Sequence, residues 1–202
     1  MRLVVITHAR GERGHLEVAR AALSAGCRFL QLRDKDMDDR GFMETAVRMK
    51  RMCMEAGAVF TVNDRVDVAE AVGCDGVHLG SSDIDPASAR RLLGPLAIIG
   101  YSPESLEDAA AAVAAGADYL GVGPVFETRS KPDAGEPIGL EGLGNYCKLG
   151  LAPVIAVGGV NAGNAGRALA AGAAGVAVLS AVFEAEDMVS AVAGLLDARL
   201  TS

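Results

Sequence analysis

The 202-residue chain has no tryptophan, five phenylalanines, three tyrosines, three histidines and four cysteines, and each shortage excludes something. Cys27, Cys53, Cys74 and Cys147 form no C-x-x-C pair and keep no regular spacing. That pattern argues against a disulfide frame or a zinc site and for reduced thiols in a cytoplasmic protein. The histidines offer no legible Ser-His-Asp or Cys-His arrangement: His15 reads as a helix-surface residue and His78 as a strand residue, and only His8, ending the first strand, could reach a mouth. Cations are also scarce. Lys and Arg total 19 against 26 Asp and Glu, giving a net charge of −7 with no basic run. A nucleic-acid partner is therefore not expected, although a small anion can still be held locally. The apolar run near the N-terminus, "LVVI", is too short for a signal peptide or a membrane span.

What the chain has in quantity is small and aliphatic: half its residues are hydrophobic and 25 are glycine. Apolar segments read as strands from Leu3, Phe29, Val59, Gly76, Ala97, Tyr119, Pro153 and Gly175. Between them lie helical stretches such as "HLEVARAALSAG", "GFMETAVRMKRMCMEAG", "SLEDAAAAVAAG" and "NAGNAGRALAAG". The phrases "AGCRFLQLR", "VGCDGVHLG", "AGADYLGVG" and "AGAAGVAVL" place a helix-ending glycine (Gly26, Gly73, Gly116, Gly172) before every second strand. Four copies of a two-unit repeat amount to eight β-α units, the count that closes a (β/α)8 TIM barrel, expected as one domain over residues 1–202. A doubly wound open sheet is the competing α/β fold. One connection, "ETRSKPDAGEPIG" after the sixth strand, is long, polar and aperiodic, as functional loops are.

In a barrel, alternate strand residues face the lumen and the C-terminal strand ends carry the site. Gln31, Arg33 and Lys35 recur at every second position and so share a face running off the second strand. They form either one wall of a ligand site or a structural ion pair with neighbouring acids. Other strand ends are equally polar: Asn63 and Asp64 after the third, Ser81, Ser82 and Asp83 after the fourth, Ser102 after the fifth, and Thr128, Ser130 and Lys131 after the sixth. Asp64 and Asp83 on adjacent loops suit Mg²⁺, which takes one or two carboxylates and completes its shell with water and phosphate oxygens. Alternatively each is a helix N-cap. Gly158 and Gly159 end the seventh strand and Ser180 the eighth, where barrels commonly hold phosphate on backbone N–H groups. Two anion-binding regions predict two phosphorylated small-molecule reactants or one large one.

The segments "QLRDK", "VNDRVDVA", "GVHLGSSD", "IIGYS", "GADYLGVGPVFETRSKPDAG", "VIAVGGV" and "GVAVLSA" together resemble the thiamine phosphate synthase family along essentially the whole chain. The resemblance implies a TIM-barrel transferase that joins hydroxymethylpyrimidine diphosphate to hydroxyethylthiazole phosphate, releasing pyrophosphate. It implies that Gln31, Arg33, Lys35, Asn63 and Lys131 hold the pyrimidine diphosphate, with Asp64 and Asp83 on Mg²⁺. Ser102 would face the pyrophosphate and pyrimidine region, and Thr128 and Ser130 would lie beside the thiazole phosphate. Gly159, Leu179 and Ser180 would bind that phosphate. Arg33, Lys35, Ser102 and Lys131 carry the catalytic expectation, since the departing diphosphate needs charge stabilisation and no side-chain nucleophile.

The chain departs from the family pattern in three places. It reads Thr7-His8 in place of Thr-Asp, Gly80-Ser81-Ser82-Asp83 in place of Gly-Gln-Glu-Asp, and Pro103-Glu104-Ser105 in place of small-His-Thr. "YS" at Tyr101-Ser102 and "VFET" are also similar to the thiazole tautomerase branch, which isomerises the thiazole with a histidine where this chain has Pro124. That branch, and a non-catalytic regulator that keeps only the thiazole phosphate site, are the alternative readings.

Overall fold

The computed structural model describes residues 3–10, 14–128 and 135–197. Short apolar segments covered on both faces become the strands β1 (Leu3–Thr7), β2 (Phe29–Leu32), β3 (Val59–Asn63), β4 (Gly76–Gly80), β5 (Ile98–Ser102), β6 (Tyr119–Val122), β7 (Val154–Val157) and β8 (Gly175–Val178). Each pairs in parallel with the next, and β8 pairs with β1, so the sheet closes into a barrel and the open-sheet alternative falls away. The connecting helices are α1 (His15–Ser24), α2 (Asp39–Glu55), α3 (Val66–Val72), α4 (Pro86–Leu93), α5 (Leu106–Ala114), α6 (Gly139–Lys148) and α7 (Ala165–Ala170). After β8 come a short α8 (Ser180–Phe183) and α9 (Met188–Asp197).

Local chemistry sets the helix limits. Asp38, Asp85 and Ser105 each accept a backbone N–H three residues on, starting α2, α4 and α5, a cap worth about 1 kcal/mol. The repeat glycines Gly26, Gly73, Gly116 and Gly172 all take positive φ where a helix ends, as the repeat predicts. The stretch from Asn161 is the exception, because its helix begins only at Ala165. Asn161 Oδ1 accepts from Gly163 N at 2.9 Å and Asn164 Oδ1 from Asn161 N at 2.8 Å, so side chains hold a turn there in competition with the helix.

Period-2 alternation splits the interior into two cores. Leu30 and Leu32 of β2 belong to the shell between sheet and helices, while Phe29 faces the lumen with Val4, Tyr119, Ile155 and Ala177. The repeat phrase also ties the bottom of the barrel. Asp75 accepts from Phe60 N and Lys50 Nζ, both at 2.8 Å. Asp118 accepts from Ile99 N and Arg90 Nη2, both at 2.7 Å. These clasps fix the N-terminal ends of the strands and leave the C-terminal ends free for chemistry.

His15 corrects an expectation. It is only 3% exposed and not on the helix surface. As the first residue of α1 it turns inward, with Nδ1 2.8 Å from Thr7 Oγ1 and Nε2 2.8 Å from Asp34 Oδ2. Both ring nitrogens are satisfied, which is what makes its burial tolerable.

Candidate active site

The C-terminal mouth opens into a cavity of about 660 Å³. Every expected site residue that is described lines it: Gln31, Arg33, Lys35, Asn63, Asp64, Asp83, Ser102, Thr128, Gly159, Leu179 and Ser180. Ser130 and Lys131 lie outside the described residues.

One wall continues β2. With Phe29 in the lumen, alternation turns Gln31 inward and carries Arg33 and Lys35 to the same side past the strand end. Neither Arg33 nor Lys35 enters a salt bridge among the described residues, so the structural ion-pair reading has no partner there. Both cations are instead close enough to the Asp64 carboxyl to favour its charged form.

Asp64 and Asp83 meet on the adjoining rim. Neither caps a helix: α3 has no side-chain cap, and α4 is capped by Asp85. Asp83 Oδ2 accepts from Gly80 N at 2.7 Å, and Asp83 lies near enough to Asp64 to oppose its ionisation. Burial first, and then Asp83, raise the Asp64 pKa to about 6 against the opposing pull of Lys35 and Arg33. Asp64 is also the one non-glycine residue with positive φ (64°) among those described. Such a conformation persists only where the surroundings hold it.

Deeper in the barrel runs a polar string that sequence reasoning missed. The Tyr119 hydroxyl is 3.0 Å from His78 Nδ1, and His78 Nε2 is 2.8 Å from Ser102 Oγ. Burial drives the His78 pKa down to about 4, so the ring is neutral. The neutral ring carries one N–H: with the Tyr119 hydroxyl donating to Nδ1, that proton lies on Nε2. The remaining Nε2–H then donates to Ser102, whose own hydroxyl hydrogen is free for a ligand. The room for these rings comes from glycine. A Cβ on Gly100 would lie 2.2 Å from the Tyr119 ring and 2.4 Å from His78 Nδ1, and one on Gly121 would lie 2.8 Å from His78 Cε1. The available signal is a histidine alternating with Gly76 and Gly80 in "GVHLG", opposite small residues on the next strands.

The opposite rim is built for close approach. A Cβ on Gly159 (φ 66°) would sit 2.4 Å from the Glu127 carbonyl oxygen and 2.8 Å from Phe126 Cβ, and Asn164 Nδ2 donates to the Gly159 carbonyl at 2.9 Å. Were this rim to receive the thiazole phosphate that the family resemblance implies, Gly159→Ala would displace this backbone and weaken that ligand at least tenfold by calorimetry, with pyrimidine diphosphate affected less than threefold. Equal weakening of both ligands would make the glycine a folding element only. His8 does not line the cavity: its ring packs edge-on against Phe183, with centroids 4.9 Å apart.

Residues 3–182 match the family model described as thiamine monophosphate synthase. The chain belongs to that family. It is 45% identical over 189 residues to the thiamine-phosphate synthase of Moorella thermoacetica, covering 94% of this chain and 90% of that one. It is 49% identical over 181 residues, 90% of this chain, to the thiamine biosynthesis bifunctional protein ThiM/ThiE of Symbiobacterium thermophilum, of which it spans 38%. Among solved structures, the thiamine phosphate pyrophosphorylase from Pyrococcus furiosus superposes with a TM-score of 0.90 at 42% identity, over 98% of this chain and 95% of that one. A second pyrophosphorylase, from Bacteroides thetaiotaomicron, shares the fold at 16% identity with a TM-score of 0.70. The thiamine monophosphate synthase family thus covers the barrel and all the described cavity residues.

Proposed function

We propose that the cavity couples hydroxymethylpyrimidine diphosphate to hydroxyethylthiazole phosphate, forming thiamine phosphate and releasing pyrophosphate. As a member of the family, the protein is a transferase of thiamine biosynthesis acting on small phosphorylated substrates. The observation that carries the detailed reading is the division of one cavity into two anion-receiving rims. One rim has the cations Arg33 and Lys35, which enter no salt bridge among the described residues, beside the neighbouring acids Asp64 and Asp83, and the other has the tight Gly158-Gly159 backbone.

The donor set suits Mg²⁺. Two neighbouring carboxylates without a cation between them are mutually destabilising, and hard oxygen donors are what Mg²⁺ selects. Among the described residues no three His, Cys, Asp or Glu cluster, so water and diphosphate oxygens would complete the shell. Asp64 and Asp83 would hold the ion, and when bound it supplies charge neutralisation on the departing diphosphate.

The chain's own groups account for the rest. Arg33, Lys35 and, by family likeness, Lys131 stabilise the diphosphate as the C–O bond lengthens, and Gln31 and Asn63 orient the pyrimidine end. Ser102, held by neutral His78, presents its hydroxyl to the ring. The apolar Ile6, Ile155 and Val157 line the cavity and keep water from the pyrimidine cation until the thiazole nitrogen captures it. Thr128, Ser130, Gly159, Leu179 and Ser180 receive the thiazole phosphate. Such metabolite chemistry belongs in the cytoplasm, and no helix among the described residues is long and apolar enough to cross a membrane.

A tautomerase needs an acid/base held over the thiazole. Pro124 lines the cavity and cannot serve, His8 is turned onto Phe183, and both nitrogens of His78 are engaged. The purified protein with Mg²⁺ should therefore form thiamine phosphate and isomerise the thiazole tautomer no faster than buffer. His8→Ala should change coupling by less than about twofold. Rapid tautomerisation without coupling, lost in His8→Ala, would replace this reading with the tautomerase one.

A further inference from the structure

We propose that the buried string Thr7–His15–Asp34 is a positioning device that holds the β2–α2 loop so that Arg33 and Lys35 face the diphosphate. The inference rests on the assignment of those two cations to the diphosphate, and it extends that assignment to residues that never touch a ligand.

Asp34 stands between Arg33 and Lys35, so local alternation sends its side chain away from theirs, toward the helices. There its carboxylate is fully used. Oδ1 accepts the backbone N–H groups of Asp36 and Met37, each at 2.9 Å, which folds the loop back on itself. Oδ2 accepts from His15 Nε2 at 2.8 Å. His15 Nδ1 lies 2.8 Å from Thr7 Oγ1, which is in turn 3.4 Å from the Gln31 carbonyl oxygen. A continuous hydrogen-bonded path therefore links β1, α1 and the loop behind the cationic wall.

The string has the order of a hydrolase triad, but access decides against that use. Thr7 is fully buried and faces the helix shell, with Met49 Sδ 3.9 Å away, so no substrate reaches its hydroxyl. An ionised Asp34 can only accept, which places the ring proton on Nε2 and leaves Nδ1 to accept from Thr7. Burial lowers the His15 pKa; at Asp34 burial pulls upward, and the hydrogen bonds from His15, Asp36 and Met37 together outweigh it and lower the pKa. The string is therefore a neutral histidine on a carboxylate.

A side chain only 13% exposed, as that of Asp34 is, keeps its charge only while partnered. An apolar pair would fill the same space but would not fix the loop's direction. Direction matters here because Arg33 and Lys35 are long and flexible, and a misplacement of about 1 Å at a reacting group can cost roughly a hundredfold in rate.

The test uses two replacements of His15 in the whole protein. In His15→Gln the amide nitrogen can reach the place of Nε2 and keep Asp34 supplied, whereas the shorter His15→Asn reaches only the place of Nδ1. His15→Asn should speed amide exchange at Asp36 and Met37 at least tenfold. It should also weaken pyrimidine diphosphate about tenfold while thiazole phosphate stays within twofold, and His15→Gln should restore most of both losses. Unchanged exchange in His15→Asn, equal weakening of both ligands, or a His15→Gln no better than His15→Asn would each overturn the proposal. If His15→Asn does not fold, Asp34→Asn carries the same expectation, because one amide oxygen cannot serve His15 and both backbone groups. Lys35→Ala, measured alongside, should weaken pyrimidine diphosphate with exchange at Asp36 and Met37 unaltered. Failure of that control would fault the assignment of the cations, while the exchange data would still judge the positioning.

Discussion

Asp64→Asn and Asp83→Asn should each slow turnover at least tenfold, about 1.4 kcal/mol of barrier, while leaving the metal-free melting temperature unchanged or higher. The two signs come from the same pair. With no cation between them, two half-buried carboxyls repel, and burial together with Asp83 lifts the Asp64 pKa to about 6. Neutralising either one relieves that repulsion, and a gain of about 1 kcal/mol would raise the midpoint by about 2 to 4 °C in a chain of this size. Asparagine is the right probe because Asp64 sits at φ 64°, a conformation that asparagine accepts and alanine resists. It also keeps an acceptor for Gly80 N at position 83. Full activity with a lowered midpoint in either variant would make the acids structural and remove them from the Mg²⁺ assignment.

Arg33→Ala and Lys35→Ala should raise the KM for pyrimidine diphosphate roughly ten- to a hundredfold each, the range for losing a charge-assisted hydrogen bond of about 1.5 to 3 kcal/mol. The thiazole phosphate constant should move less than threefold, because its expected rim lies across the cavity at Gly159 and Ser180. Lys35 is exposed and unpaired among the described residues, so its removal should barely change stability. Arg33 is half-buried and also opposes protonation of His78. Its loss should therefore act on kcat as well. Equal weakening of both substrates in Lys35→Ala would show that the cations shape the mouth without choosing a ligand.

The features legible in the chain itself are those that depend on near neighbours. A lumen-facing residue is set by period 2, so the run Gln31, Arg33, Lys35 announces its own side of β2. The repeat glycines announce helix ends because few other residues take positive φ. What stays hidden depends on partners distant in sequence. His15 passes for a surface residue because Thr7 and Asp34, eight and nineteen residues away, satisfy it only once the barrel closes. His78 passes for an ordinary strand residue because its contact with Tyr119 spans 41 residues and exists only in the space left by Gly100 and Gly121. The late start of α7 is hidden for a different reason: "NAGNAG" has helical spacing of small residues, yet Asn161 and Asn164 prefer their own turn.

The most direct measurement of the central claim is product stoichiometry in a single reaction. Purified protein is mixed with hydroxymethylpyrimidine diphosphate, hydroxyethylthiazole phosphate and Mg²⁺, and thiamine phosphate and pyrophosphate are quantified together, with each substrate omitted in turn. The account predicts thiamine phosphate and pyrophosphate in equal amounts, dependent on both substrates and abolished by chelating the metal. Binding of thiazole phosphate without turnover, or pyrophosphate release that does not require the thiazole, would contradict it.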